Sequence, residues 1–242
     1  MDKRFNIIKL NDAHVPFDDP EAIRCALDFC ERIQPDIIIT DEWMDFYELS
    51  RFLKDPQMAT GYTLHEARLK TWDYFEQIHK ACPAAKRIHL NANHTKRMQK
   101  YLYKNAQELC GLPEFTLDKF MDWKRFNIEY MNYFVARDQF LFKHGDRVHK
   151  FSAYTAKNEL DNEGMSGASG HSHRLGQHYR TKRGGEYTWM ECGCLCDLKQ
   201  EYMEDKIADW QHGLGLVSFV GDGDQFYAAP IPIIDYNILW GV

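Results

Sequence analysis

The sequence contains no apolar run that approaches the roughly 20 uncharged residues of a membrane-spanning helix. It also shows no signal-peptide pattern, because the polar residues 1–4 run directly into a short apolar segment. Both absences predict a cytoplasmic protein that has no membrane partner. With 242 residues, the chain is long enough to bury a core without disulfides or a structural metal.

The chain lacks the paired CxxC spacing of a zinc knuckle. Its seven cysteines are an odd number, and without a secretion signal they are expected to be reduced thiols. Cys192, Cys194 and Cys196 form a CxCxC cluster. Alternate residues of a strand face the same side, so we predict that these thiols are small buried core groups rather than metal ligands.

An excess of positive charge is also missing, since the formal net charge is -6. This balance disfavours a broadly basic surface for nucleic acid. Local basic clusters lie at Lys96, Arg97, Lys100 and Lys104, and at Arg174, Arg180, Lys182 and Arg183. Each cluster alone is typical of a solvated helix or hairpin face, but both directly follow polar motifs, which favours contacts with phosphate.

The first ninety residues alternate apolar runs with helical spacing. Strands are predicted at residues 5–10, 37–39 and 87–90, and helices at 20–33 and about 64–80. This order implies parallel strands joined by right-handed crossovers.

The rest of the chain is predicted to be helical over residues 95–123, with an interruption at 111–113, and then rich in strands. The strands are expected at residues 128–135, 139–143, 187–192, 216–220 and 225–234. The region beyond residue 201, which includes Trp210 and Trp240, is predicted to close a second sheet, with cover of a substrate groove as the alternative. We expect one α/β domain over residues 1–242, with two sheets and a helical insertion at about 95–125.

Polar residues follow the first three predicted strands. Asp12 and His14 come after the first strand, Asp41 after the second, and Asn93 and His94 after the third. The carboxyl ends of parallel strands meet at one edge of a sheet, where sites form. If the backbone is extended, Asp12 and His14 point to the same side and converge on one ion.

Two further histidine motifs occur later in the chain. His144 ends a predicted strand, and His171 and His173 are again two residues apart. The small residues at 164–169 predict a flexible segment that lets the backbone approach the cluster closely. Each motif alone is weak evidence for a functional site. The prediction of one shared site rests on the ordered set of five motifs. The other histidines are given structural or surface roles by default: His65, His79, His89, His149, His178 and His212. A site role stays open for His149 and His178, which lie near the site motifs in sequence.

The order DxH, D, NH, H, GHxH resembles the signature of the calcineurin-like metallophosphoesterases. That family includes purple acid phosphatases, cyclic-nucleotide phosphodiesterases and the nuclease of the double-strand-break repair complex. The resemblance runs from Asp12 to His173, and segments 41–52, 170–174 and 189–195 are similar to a subgroup common in tailed phages and bacteria. It implies a four-layer α/β/β/α sandwich of two mixed β-sheets flanked by helices, and host cytoplasm as the location if a phage encodes the chain.

The resemblance also implies a centre of two metal ions. The first ion's ligands would be Asp12, His14 and His173. The second ion's ligands would be Asn93, His144 and His171, with Asp41 bridging both ions. His94 would be the catalytic acid, and Arg97 and Arg174 would contact the substrate phosphate. The sequence departs from the family pattern at Thr40, Ala92 and Thr95, where glycine, glycine and an acidic residue are usual.

Four imidazoles, one amide and two carboxylates suit manganese, zinc, iron, cobalt or nickel better than magnesium or calcium. We expect two divalent ions, with manganese first. The leading hypothesis is a phosphodiesterase that cleaves DNA or RNA, with Tyr101, Tyr103 and Tyr179 available to stack on bases. The alternatives are a phosphomonoesterase or cyclic-nucleotide phosphodiesterase for a small molecule or phosphoprotein, and a non-catalytic metal-binding scaffold. Related nucleases are often dimers, so a homodimer is also implied.

Overall fold

A computed structural model of the protein describes residues 4–51, 61–199 and 207–239. Residues 1–3, Phe52 of the 41–52 segment and Trp240 of the C-terminal region lie outside the described residues. Within the described ranges, no helix is both long and apolar enough to cross a membrane.

The first sheet has six strands in the order β11-β10-β1-β2-β3-β4. Strands β1 to β4 are mutually parallel, whereas β10 is antiparallel to both β1 and β11. The strands are β1 (Arg4–Asn11), β2 (Ile37–Asp41), β3 (Lys86–Leu90), β4 (Ile128–Met131), β10 (Gly213–Val220) and β11 (Phe226–Pro232). The predicted parallel pairing of the first three strands is confirmed.

Two long helices join the first three strands. Helix α1 spans Pro20–Ile33 and begins at Asp19, whose carboxylate accepts hydrogen bonds from two backbone N–H groups of the first turn. Helix α2 spans Leu64–Ala81 and begins with a capping box between Thr63 and Glu66. These caps end the strand-to-helix loops at defined residues, so the carboxyl ends of β1 to β3 remain free to carry polar side chains.

The second sheet has five strands in the order β5-β6-β7-β9-β8. Strands β6, β7 and β9 are parallel, and the two edge strands are antiparallel to their neighbours. The remaining elements are α3 (Arg97–Asn105), α4 (Leu117–Met121), β5 (Phe134–Ala136), β6 (Phe140–Phe142), α5 (Tyr154–Glu163), β7 (Ser166–Ser169), β8 (Leu175–Lys182) and β9 (Gly185–Cys192).

Three buried clusters separate four layers. Ile8 and Leu10 of β1 pack with α1 and α2 on one face of the first sheet. Ile7, on the opposite face, packs against the inner face of the second sheet. Trp189 of β9 packs against Leu160 of α5 on the outer face of that sheet. Period-two alternation along β1 sends neighbouring side chains into different layers. The predicted α/β/β/α sandwich of two mixed sheets is therefore confirmed.

Three sequence-based predictions about the second half are wrong. The C-terminal strands β10 and β11 join the first sheet beside β1, not the second sheet. The predicted strand at 128–135 is two strands in different sheets, because the chain turns after β4. The predicted flexible segment at 164–169 contains the buried central strand β7. Its small residues fit there because a Cβ at Gly167 would collide with the Trp189 ring.

Candidate metal centre

The loops after β1 and β2 run side by side and continue the parallel pairing of these strands. The backbone N–H of Asp12 donates to the carbonyl of Asp41 at 3.1 Å, and that of His14 donates to Glu42 at 3.0 Å. Asp12, His14, Glu42, His171 and His173 all have φ between 49° and 67°. The extended backbone predicted for Asp12 and His14 is therefore wrong. Left-handed non-glycine residues are uncommon and gather at functional sites, and here four of the five side chains, all except Asp12, line one cleft.

The carboxylate of Asp12 presents one oxygen to a group of histidines. Its Oδ2 accepts hydrogen bonds from the Asn11 side chain at 2.7 Å and from the His171 backbone N–H at 2.9 Å. Its Oδ1 is buried and accepts no hydrogen bond from the residues that the structure describes. The Nε2 atoms of His14 and His173 each lie 3.6 Å from this oxygen. Asp12 is thus held in place through Oδ2, and its Oδ1 is available to bind a cation.

The spacing of these atoms suits a single cation. The Nε2 atoms of His14 and His173 are 3.1 Å apart. Ligands about 2.1 Å from one ion stand roughly 3.0–3.4 Å from each other in octahedral or tetrahedral geometry. Asp12, His14 and His173, the ligand set predicted for the first ion, form one group able to hold a metal.

A second group surrounds the ring of His144. Its Nε2 lies 2.7 Å from Oδ1 of Asn93 and 2.8 Å from Oε2 of Glu42. Glu42, His144 and His171 together form a group able to hold a metal. The structure thus brings the three residues predicted for the second ion to one place, and it adds Glu42.

Asp41, the predicted bridging ligand, is paired with a buried lysine. The ammonium group of Lys9 contacts Oδ2 of Asp41, and both side chains are completely buried. The other oxygen of Asp41 lies 3.5 Å from Nδ1 of His144. Lys9 extends from β1 on the same side as Ile7, so it reaches this pair from between the two sheets.

His94 lies between an acid and an arginine. Its Nδ1 is 2.8 Å from Oδ2 of Asp45, and its Nε2 is 2.7 Å from the guanidinium of Arg97. The guanidinium is always a donor, so Nε2 is the acceptor and the ring carries its proton on Nδ1. Burial lowers the pKa of His94, and the carboxylates of Asp45 and Glu42 only partly oppose that effect.

Neighbouring acidic groups raise the pKa of three imidazoles of the centre. Burial acts to lower the pKa of His14, but the nearby carboxylates of Asp12 and Asp45 outweigh burial and raise it well above the usual value. Burial is likewise outweighed at His144, whose pKa is raised by Glu42 and Asp41. At His173, Cys196 and Asp12 outweigh burial and raise the pKa to about 9. The carboxylates around these rings thus favour positive charge at the centre.

The pKa values of two other groups of the centre, His171 and Glu42, are lowered. Burial and the neighbouring His144 lower the pKa of His171 to about 4. Burial would raise the pKa of Glu42, but the histidines around it, chiefly His144, lower it to about 2. Glu42 is therefore an anion at neutral pH, and His171 has a free ring nitrogen for a metal.

The cleft above these groups has a volume of about 190 Å³. It is lined by His14, Phe17, Glu42, Asp45, Asn93, His94, His171, His173, Cys196 and Trp210. Within the described part of the chain, this lining includes neither Arg97 nor Arg174. Arg97 lies behind it, bound to Asp45, and Arg174 turns away to Asp209 at 3.1 Å and to the carbonyl of His149.

The CxCxC cluster only partly follows the strand prediction. All three thiols are buried, but β9 ends at Cys192, so Cys194 and Cys196 lie beyond the strand. Cys194 and Cys196 form a further metal-capable group with His173, whose Nδ1 lies 3.8 Å from the Cys196 sulfur. The thiol of Cys196 thus contacts the ring nitrogen that faces away from Asp12.

Sequence reasoning missed Lys9, Glu42, Asp45 and Cys196 as parts of the centre. Glu42 and Asp45 lie within four residues of the predicted ligand Asp41, and that proximity was the available signal. The sequence around Lys9 gave no such signal, because a lysine in a strand is usually exposed. His89 keeps its structural role, because it is buried and stacks on Trp123 with ring centroids 4.7 Å apart.

Gly170 leaves the space that the Asp12 carboxylate fills. A Cβ at this position would collide with Oδ2 of Asp12 and lie 3.1 Å from the Asn11 side-chain nitrogen. We expect Gly170→Ala to displace Asp12, weaken metal binding and cost about 1–3 kcal/mol of unfolding free energy. Calorimetric manganese titration and thermal unfolding measure both effects. Gly111→Ala is the control, since a Cβ there meets nothing within 4 Å. Equal behaviour of both variants would contradict the packing role.

Comparison with known proteins yields relatives whose names do not state a function. No family model matches the chain. It is 27% identical to the Gene 54 protein of Mycobacterium phage D29, over 97% of this chain and 95% of that protein. The Gene 54 protein of Mycobacterium phage L5 is 26% identical over the same shares.

Solved structures of similar fold include vacuolar protein sorting proteins. Vacuolar Protein Sorting 29 from Cryptosporidium parvum aligns with a TM-score of 0.47 at 12% identity, covering 98% of this chain and 95% of that chain. Vps29 from Entamoeba histolytica aligns with a TM-score of 0.45 at 11% identity, covering 97% of this chain and 96% of that chain.

Proposed function

We propose that the centre binds two divalent metal ions and hydrolyses phosphoester bonds. The observation that carries this proposal is the buried Oδ1 of Asp12, which accepts no hydrogen bond from the described part of the chain. Imidazole nitrogens of His14, His173 and His144 surround it at 3.6, 3.6 and 3.9 Å. An unsatisfied buried oxygen costs about 1–3 kcal/mol, and a cation among these donors removes that cost.

The donor set fits the metals that the sequence favours. Imidazole nitrogens, carboxylates and the Asn93 amide suit manganese first, with zinc, iron, cobalt or nickel as alternatives. Two such ions, when bound, neutralise the charge of a phosphate and supply an activated water at neutral pH. The protein's own contribution is to hold the ligands in fixed positions, which the hydrogen bonds of Asp12 support.

His94 and Arg97 would act as a pair on the substrate. Arg97 now donates to Nε2 of His94, so that nitrogen is occupied. When a phosphate binds, its oxygens compete with Nε2 of His94 for the guanidinium. Arg97 can then release His94 and bind the substrate phosphate instead. Nε2 can then take up a proton from solvent, with the Asp45 carboxylate at Nδ1 stabilising the imidazolium, and pass that proton to the leaving oxygen. The roles implied for these two residues are therefore linked.

Nucleic acid is the substrate class that we favour. Helix α3 begins three residues after His94, and it exposes Lys100, Lys104 and two tyrosines, Tyr101 at 43% and Tyr103 at 54%. Exposed aromatic and basic side chains beside a phosphate site are typical of surfaces that hold a single strand. A small phosphomonoester is the second candidate, because the cleft itself is only about 190 Å³ and has Phe17 and Trp210 in its walls.

Four substrates distinguish these activities. The protein with manganese is incubated with a plasmid, a single-stranded oligonucleotide, p-nitrophenyl phosphate and bis(p-nitrophenyl) phosphate. Cleavage of the nucleic acids that a chelator abolishes supports the nuclease. Hydrolysis of the monoester alone supports the second candidate and rules out the first. Metal binding without hydrolysis of any substrate would point to a scaffold.

The acid role of His94 gives a separate prediction. We expect His94→Ala to retain both metal ions but to lower turnover by about 10²–10⁴-fold. The loss should be largest with a poor leaving group, because a good one departs without a proton. Turnover of diesters with leaving groups of graded basicity measures this. An unchanged rate on the most basic leaving group would contradict the acid role.

A further inference from the structure

A second pocket lies beside the candidate metal centre, separated from it by the loop that follows β3. Asn93 and His94 of this loop line the cleft of the centre, whereas Asn91 and Thr95 line the second pocket. Consecutive Cα atoms are about 3.8 Å apart, so the thickness of one loop separates the two cavities. A molecule whose phosphate lies at the centre can therefore place an attached group in this pocket.

The second pocket, called the α3 pocket because helix α3 lines it, has the size of a nucleobase. Its volume is about 290 Å³, which holds roughly ten waters at about 30 Å³ each and so matches one base rather than a base pair. The cleft at the centre is smaller, at about 190 Å³, and has candidate metal ligands in its walls. A nucleotide that binds the centre through its phosphate needs a separate space for its base.

Three aromatic rings line the α3 pocket. They are Tyr103 of α3, Phe115 of the segment before α4, and Tyr130 of β4. The hydroxyl of Tyr103 accepts a hydrogen bond from the side-chain amide of Gln99 at 2.6 Å, one turn earlier in the helix. Tyr130 stacks on Trp123, with ring centroids 5.3 Å apart and an angle of 6° between the planes. These contacts fix the two tyrosine rings before a flat ligand arrives.

The rest of the lining is neutral apart from one positive charge. Gln99 and Thr116 supply groups that form hydrogen bonds, and Lys96 supplies an ammonium group. No carboxylate lines the pocket among the residues that the structure describes. This lining suits a flat, neutral group that forms hydrogen bonds and is attached to a negatively charged backbone.

We propose that the α3 pocket binds a nucleobase of the substrate, next to the phosphate that the metal centre holds. This assignment rests on the proposed function and deepens it, because it makes the substrate a nucleotide unit, either within a strand or free. Tyr103, which is 54% exposed, is the principal stacking residue. Tyr101 is two residues away, a turn of about 200° around the helix, and it does not line the pocket.

Chromogenic diesters with the same leaving group test the assignment. The p-nitrophenyl ester of thymidine 5′-phosphate carries a base, whereas methyl p-nitrophenyl phosphate does not. The ester of thymidine 3′-phosphate is included because the base can lie on either side of the scissile bond. The value of kcat/KM with manganese is measured for wild type, Tyr103→Ala and the matched control Tyr101→Ala, after circular dichroism confirms that each variant is folded.

We expect wild type to favour one thymidine ester over the methyl ester by about 5–150-fold in kcat/KM, the range that stacking of one base supplies. Tyr103→Ala should lose most of this preference and keep its rate on the methyl ester, whereas Tyr101→Ala should keep both. Absence of a preference in wild type, or equal losses in the two variants, overturns the base pocket and leaves the metal centre in place. Hydrolysis of none of the diesters would instead contradict the favoured function.

Photocrosslinking provides a readout that does not depend on turnover. A single-stranded oligonucleotide and a mononucleotide, each carrying 5-iodouracil, are irradiated separately with the protein, and mass spectrometry locates the modified residue. We expect the crosslink on Tyr103, Phe115 or Tyr130. Crosslinking by the oligonucleotide alone would identify a strand as the source of the base, and crosslinking by both would show that a free nucleotide suffices. Crosslinks confined to residues outside the pocket overturn the proposal.

Discussion

Asp12→Asn is expected to remove both metal binding and phosphoester hydrolysis. Asp12 is completely buried and belongs to two of the metal-capable groups, one with His14 and His173 and one with Asp41 and His144. Its replacement by a neutral amide removes a negative charge that a dication needs and places an N–H₂ donor among imidazoles. The affinity for manganese should therefore fall by more than the roughly 10–100-fold that changes behind a ligand produce.

The measurement is manganese binding by isothermal titration, with hydrolysis of the best substrate recorded in parallel. Asp209→Asn is a control, because Asp209 pairs with Arg174 near the centre and is exposed by more than half of its side chain. That variant should bind and turn over like wild type. An Asp12→Asn protein that folds and still binds two ions with unchanged affinity would contradict the proposed centre.

Metal affinity is expected to rise steeply with pH. The pKa of His173 is raised to about 9, and those of His14 and His144 are also raised. A ligating nitrogen must give up its proton, and each displaced proton changes the affinity by up to about tenfold per pH unit. The affinity for manganese should therefore increase between pH 6 and pH 9.

The stability of the metal-free protein should change in the opposite sense through these same groups. A folded-state pKa above the unfolded value of about 6.5 stabilises the fold below that pH. For His173 this contribution is lost as the pH rises through about 9. The thermal shift caused by manganese should consequently be small at pH 6 and large at pH 8.5.

Calorimetry in two buffers of different ionisation enthalpy counts the protons released when manganese binds at pH 7. We expect release of more than one proton by wild type and little release by Asp12→Asn. Binding without proton release, or with an affinity independent of pH, would show that these rings do not serve as ligands in the way proposed.

Local sequence signals predicted the elements of the first half well. Helix α1 was expected at 20–33 and spans Pro20–Ile33, because its apolar spacing, cap and proline all lie within the segment itself. The strands before Asp12 and Asp41 were likewise visible as apolar runs between turn residues. Parallel pairing followed from the strand–helix order, so the common edge that gathers Asp12, Asp41 and Asn93 was predictable.

The second half was harder because its strands take their character from distant partners. Strand β7 reads SGAS, a sequence with little strand propensity, and it is a strand because β6 and β9 pair with both of its edges. Strands β10 and β11 carry ordinary strand sequences, but only the packing beside β1 decides which sheet they join. Hydrophobic periodicity contains no information on that choice.

The sequence by itself determined which strand ends carry polar histidines and acids, and the resemblance of their order to a known signature implied a centre of two ions. Only the tertiary structure decided how the carboxylates divide their contacts. Asp41 and Glu42 are adjacent in sequence and chemically alike, so no local pattern separates them. Lys9 reaches Asp41 from another strand, and three histidines from three loops surround Glu42. These contacts join residues far apart in the chain, so they exist only once the two sheets have packed.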